Sequence, residues 1–181
     1  MKHWKGRKNN ETVRVGYWGT TDNTLEFRDN RKVAVGDTHV MKKSGLSPWV
    51  RNETIDHPVL CKLGMHASPK PNQVGTYRRS SRFLYLVLIA GDVTNVMYDG
   101  ESTDDKFCGR VRTYQGFIEP TDLPASNCVR VPSHRDENGI LVWRLGGFNW
   151  DSPNFSRAVR RAFIRKYPEL RTFVEETIES R

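Results

Sequence analysis

Phe83-Leu84-Tyr85-Leu86-Val87-Leu88-Ile89-Ala90 is the stretch on which the fold turns. Eight consecutive apolar residues, bounded by Arg82 and Gly91-Asp92, read as a strand buried on both faces. A buried helix is the alternative, but eight residues closed by Gly-Asp are short for one. Upstream, Thr12-Val13-Arg14-Val15-Gly16-Tyr17-Trp18 alternates and is β-rich, which predicts a first strand ending in the turn signal Gly19-Thr20-Thr21-Asp22-Asn23. Leu25-Glu26-Phe27 and Arg31 to Gly36 resemble a short hairpin pair, with Val33 and Val35 on one face. Residues 42–58 read as loop, Val59-Leu60-Cys61 as a short strand, and Pro69, Pro71 and Gly75 as turns with one helical turn between them.

Downstream, Lys106–Phe117 and Ile140–Leu145 read as strands, the latter ended by Gly146-Gly147. Pro120, Pro124 and Pro132 break the segment between them. The tail changes period. Ser152-Pro153 predicts a helix start, a cap residue followed by proline at the first helical position. Phe155, Ala158, Val159, Ala162 and Phe163 then recur on one helical face, and Arg157, Arg160, Arg161 and Arg165 on the other. Pro168 stops that helix and opens a second, striped by Leu170, Phe173, Val174 and Ile178. Strands first and helices last predict an α+β fold: a mixed or mostly antiparallel sheet with a C-terminal pair of helices. The expected organisation is one β-rich domain over 1–150 with a helical extension, 151–181, packed on it.

Composition bounds the function classes. The 181 residues carry 29 Lys and Arg against 21 Asp and Glu, a net charge of +8. The excess is uneven: +9 over residues 1–82, −4 over 83–154 and +3 over 155–181. A basic face attracts phosphate polymers, although many soluble proteins are equally basic. Leu, Ile, Val and Phe together make up about 23% of the chain, above the level at which disorder is expected. No run reaches the ~18–20 apolar residues of a membrane span, and no apolar signal core follows the basic N-terminus. The three scattered cysteines, Cys61, Cys108 and Cys128, suit a reducing compartment, so a cytoplasmic protein is expected.

Several chemistries lack their motifs. G-x-S-x-G, the phosphate loop G-x-x-x-x-G-K-[ST] and the dinucleotide fingerprint G-x-G-x-x-G do not occur. His57, Cys61 and His66 are zinc-binding residue types, but H-x3-C-x4-H is no standard spacing, and no metal is expected. Arg78-Arg79-Ser80-Ser81-Arg82 offers guanidinium forks and hydroxyls beside Tyr77, an environment suited to phosphate. The same charges also serve as gatekeepers beside an aggregation-prone strand, and that reading explains them fully. The arginine face of the first C-terminal helix could meet nucleic acid through phosphates alone, since it lacks base-reading side chains. Its ordinary reading is a solvated surface.

Two resemblances add to this. Gly64-Met65-His66-Ala67-Ser68, delivered by Leu60-Cys61-Lys62, is followed by the apolar strand ending Gly91-Asp92-Val93, the Asp104-Asp105-Lys106 turn and the strand Val111–Gln115. That order, with Trp4-Lys5-Gly6 near the N-terminus, resembles an uncharacterised domain family common in bacteriophage genomes, over roughly residues 1–120. It implies a phage protein acting in the cytoplasm of the host. The Gly64–Ser68 strand, Tyr77 and the apolar strand ending in Gly91 are also similar in order to ADP-ribosyltransferase-like folds. Tyr17-Trp18-Gly19-Thr20 is loosely similar to the turn that grips nicotinamide there, with Trp18 where histidine stands in those enzymes. This second resemblance implies that NAD is a possible cofactor. His66 would line the base or nicotinamide pocket with Tyr17, Trp18 and Ser68, and Tyr77 would stack on the ring. Arg14 would hold a phosphate, as could Arg78, Arg79 and Arg82. Glu119 or Gln115 would stabilise an oxocarbenium-like centre. The ordinary reading of His66 is an imidazole bonded to backbone at a sharp turn. The competing reading of the whole chain is a non-catalytic basic protein that covers nucleic acid or an acidic host protein, a host-takeover or anti-defence factor.

Overall fold

In a computed structural model of the chain, residues 13–21, 24–26, 29–41, 45–46, 54–55, 57–60, 63–97 and 100–179 are described. Trp4-Lys5-Gly6, Cys61 and most of the 42–53 segment lie outside the described residues. The strands are β1 (Val13–Thr20), β2 (Thr24–Glu26), β3 (Asp29–Lys32), β4 (Thr38–Val40), β5 (Gly45–Leu46), β6 (Thr54–Ile55) and β7 (Met65–Ala67). They are followed by β8 (Phe83–Ala90), β9 (Phe107–Gly109), β10 (Val111–Ile118), β11 (Cys128–Arg135) and β12 (Leu141–Phe148). Helix α1 (Pro71–Tyr77) separates β7 from β8, while α2 (Phe155–Lys166) and α3 (Arg171–Glu179) close the chain.

The apolar run is indeed the buried strand β8, with Leu84 to Ala90 all buried. It lies between β1 and β10 in a sheet of order β1-β8-β10-β4. Every ladder among the described strands is antiparallel. More of the chain is strand than helix, and the helices at the C-terminus pack on the sheet.

Register assigns each side chain to a layer, because strand residues alternate faces. One face carries Val15 and Tyr17 of β1, Leu84, Leu86 and Leu88 of β8 and Ile118 of β10, against Phe155, Val159, Ala162 and Phe163 of α2 and Val174 of α3. The opposite face carries Trp18, Tyr85, Val87, Ile89 and Tyr114, covered by Met65 and Ala67 of β7 and Phe107 of β9. Two glycines of β1 allow its close neighbours. A Cβ at Gly16 would sit 2.6 Å from the Phe107 ring and 2.9 Å from the Ala67 methyl. A Cβ at Gly19 would sit 2.4 Å from Ser81 Oγ and 2.8 Å from Val74, so α1 could not seat on this end of β1.

Several elements differ from expectation. Gly19 and Thr20 belong to β1 rather than to a turn, paired with Leu84 and Phe83, because the long β8 template reaches as far as Thr20. Lys106–Phe117 is two strands broken at Arg110: β9 pairs β7, and β10 pairs β8. The Arg110 N–H donates to the Gly91 carbonyl and its carbonyl accepts from Met41, and these bonds hold the corner. Strand β12 runs through both glycines to Phe148, and β11 includes Pro132, in a two-stranded ribbon. The 25–36 hairpin forms, but β3 stops at Lys32; Val33 is buried and Val35 is exposed, so they do not share a face. Helix α1 has two turns rather than one. Pro71 pre-sets its first turn, and Gln73 Oε1 accepts from the Lys70 N–H at 2.9 Å. Helix α2 starts at Phe155, not at Pro153; Ser152 Oγ instead accepts from Asn127 Nδ2 at 2.9 Å. Among the described residues no helix is long and apolar enough to cross a membrane.

Candidate functional site

The outer edge of β1 is where three elements converge. Ser68, just past β7, exchanges two 2.8 Å backbone hydrogen bonds with Tyr17. That pairing brings the His66–Ser68 segment alongside Tyr17, Trp18 and Gly19. Helix α1 adds Val74 and Tyr77, its C-cap adds Arg78, and the turn before β9 adds Lys106. Together they line a small cleft of about 90 Å³, open to solvent on one side.

The cleft is cationic and aromatic. Arg78 and Lys106 line it directly. Behind its Trp18 wall lies Arg112, fully buried, its guanidinium 4.2 Å from the Trp18 ring centroid. Arg112 Nη1 donates to the His66 carbonyl and Nε to the Tyr114 hydroxyl, both at 2.9 Å. The Tyr114 hydroxyl also shares a 3.0 Å hydrogen bond with His39 Nδ1. A buried guanidinium is thus enclosed by an indole face and oxygen acceptors, which offsets part of its desolvation.

His66 responds to this setting. Burial first, and then the charges of Lys106, Arg112 and Arg78, hold its imidazole down to about 3, against a ring hydrogen bond to the Gly64 backbone. At neutral pH it is an uncharged imidazole. It both bonds backbone at a turn and faces the cleft.

The remaining candidates divide. Trp18, Ser68, Tyr77 and Arg78 line the cleft with His66. Tyr17 borders it, but its side chain turns the other way: its hydroxyl meets Thr177 of α3 at 3.1 Å, and burial pushes its pKa up. Arg14 does not reach the cleft. Its guanidinium lies 4.3 Å from the Phe107 ring centroid, where burial lowers its pKa against the pull of Asp104. Arg79 turns away to Asp151 at 3.0 Å, and Arg82 is exposed beyond the end of β1. The arginine cluster of the sequence is therefore not one site, because successive residues of a turn point in different directions. Gln115 occupies a bulge in β10, and Glu119 follows that strand, its N–H donating to Asp122 Oδ2 at 2.9 Å. Neither lines the cleft, since β8 lies between β10 and β1.

The α2 arginines divide as well. Arg157 and Arg161 are exposed. Arg160 is half-buried between α2 and α3, its Nη2 3.5 Å from the Thr177 carbonyl, and Arg165 donates to the Asp122 carbonyl at 2.5 Å. These last two are structural contacts rather than a free phosphate face, because a 3.6-residue period carries Arg160 round toward α3. Among the described residues no group of three or more His, Cys, Asp or Glu could hold a metal ion.

Sequence reasoning missed Lys106 and Arg112. Lys106 was visible only as the end of an acidic turn. Arg112 had one signal: it stands two residues before Tyr114, on the same face of a strand. No protein-family model, curated protein or solved structure matches the chain.

Proposed function

We propose that the chain is a nucleotide-handling protein, an α+β fold of bacteriophage type working in the host cytoplasm, with its ligand site in the β1 edge cleft. One observation carries this reading: His66, Tyr77, Arg78 and Lys106 meet beside Trp18 in a single cleft. An exposed tyrosine ring provides stacking surface, the two cations suit a phosphate, and a neutral imidazole offers a fixed hydrogen-bonding group. NAD, or a nucleotide made from it, is the ligand implied by the likeness to ADP-ribosyltransferases. Glycosyl transfer at this site would need a carboxylate; Glu119 does not reach the cleft and Gln115 carries only an amide, so binding is better supported than transfer.

The test is ligand-induced stabilisation with NAD, ADP-ribose and AMP. A ligand at 100-fold excess over its Kd stabilises the native state by about 2.7 kcal/mol. The expected result is a rise in Tm with at least one of them, lost in His66→Ala and in Arg78→Glu. No rise at millimolar concentrations overturns the reading. The competing reading, a basic protein that covers nucleic acid or an acidic host protein, rests on the exposed Arg82, Arg157 and Arg161. It gains if reversing those three charges abolishes polyanion binding while His66→Ala leaves it intact.

A further inference from the structure

Lys106 and Asp105 are consecutive residues of one turn, and together they grip both ends of the Tyr77 side chain. The Lys106 ammonium lies 4.3 Å from the Tyr77 ring centroid. The Tyr77 hydroxyl donates to Asp105 Oδ2 at 2.9 Å. The Thr103 hydroxyl also donates to the Asp105 carboxylate, and Asn95 Nδ2 ties the turn back through the Thr103 carbonyl at 2.9 Å. Tyr77 is 44% exposed, and Tyr77 and Lys106 line the same cleft. The ring best placed to stack on an aromatic ligand therefore has an ammonium group over it.

A base and an ammonium cannot occupy one face of a ring together. Removing the ammonium forfeits a cation–π contact, which is weak at a part-exposed site. A phosphate gives that ammonium a stronger partner, a charge-assisted hydrogen bond, and a neutral ring gives it none. We propose that Lys106 is the specificity-determining residue of the cleft: with its ammonium against the Tyr77 ring, it admits ligands that carry a phosphate beside an aromatic ring and disfavours the ring alone. This rests on the nucleotide reading and deepens it. It separates nucleotides from nucleosides by an exchange of partners, not by added attraction alone.

The test is calorimetric titration of the full chain with two matched pairs, AMP and adenosine, and nicotinamide mononucleotide and nicotinamide riboside. The wild type is expected to bind the phosphorylated member of a pair about tenfold tighter or more, the scale of one hydrogen bond to a charged group. Lys106→Met should move the two members in opposite directions. The nucleotide weakens by about tenfold, while the nucleoside tightens by about threefold as the ring face is released. Lys106→Arg should retain the wild-type order. If Lys106→Met weakens both members alike, or changes neither, the exchange is wrong while the nucleotide reading stands. If no member of either pair binds the wild type at millimolar concentration, the nucleotide reading falls and this inference with it. Should Lys106→Met fail to fold, Asp105→Ala frees the same turn. It should then tighten the nucleoside without weakening the nucleotide, and a loss of both would count against the exchange.

Discussion

The two faces of the β1-β8-β10 sheet are built from the same three strands, yet they do different work. On the helix side, Val15, Leu84, Leu86, Leu88 and Ile118 meet the apolar stripe of α2, and the Tyr17 hydroxyl is taken up by Thr177. On the other side, Trp18, Tyr85 and Tyr114 form a cluster of ring contacts that encloses Arg112 and, through it, reaches His39 and the His66 carbonyl. The difference follows from what covers each face. A helix satisfies its own backbone and presents side chains only. The short strands β7 and β9 bring backbone carbonyls into the layer, such as that of His66, and a carbonyl can receive a buried guanidinium. The cleft opens beside the face that has polar groups to position.

That contrast can be broken, and the strongest attempt is on the dry side. Phe163 is fully buried under the sheet, so Phe163→Ala is expected to cost about 3–5 kcal/mol in denaturant unfolding. A cost no larger than that of polar-face substitutions would mean that the two layers are equivalent. Next comes Arg112→Met, which takes a donor from the His66 carbonyl and from the Tyr114 hydroxyl. It is expected to cost about 1–3 kcal/mol, and to raise the His66 pKa because it removes one of the charges that lowers it. Unchanged stability together with an unchanged imidazole titration, followed by NMR, would show that Arg112 is filler rather than a support for the cleft.

The remaining test is a pH dependence confined to the polar side. The His66 imidazole titrates near 6.5 when unfolded and at about 3 in the native protein. The unfolded chain therefore binds the extra proton first as pH falls. The contribution of neutral His66 is complete above pH 6.5 and is lost as pH drops from there toward 3. Urea unfolding of the wild type and of His66→Asn, compared across that range, should converge as the pH is lowered. Parallel curves would place the ring in an ordinary solvated setting.

What could be read in advance depended on how local the cause was. The β8 run, the α2 stripe and the stop at Pro168 are local patterns of hydrophobicity and backbone restriction, and each forms where the pattern puts it. The corner at Arg110 and the seating of α1 on Gly19 depend on neighbours distant in sequence, and neither was legible. Among the site residues, His66, Tyr77 and Arg78 stood out by type and order, whereas Arg14, Arg79 and Glu119 were of suitable types but point elsewhere.

The sequence by itself determined the buried strand β8, the body of β1 and the apolar face of α2, because these follow from side-chain period and turn chemistry within a few residues. Only the tertiary structure decided that Lys106 lies on Tyr77, that Arg112 is buried behind Trp18, and that among the described residues the basic N-terminal region contributes just Arg78 of its cations to the cleft lining. Those are matters of direction, and the direction of a side chain is set by the register and packing of strands that meet across tens of residues.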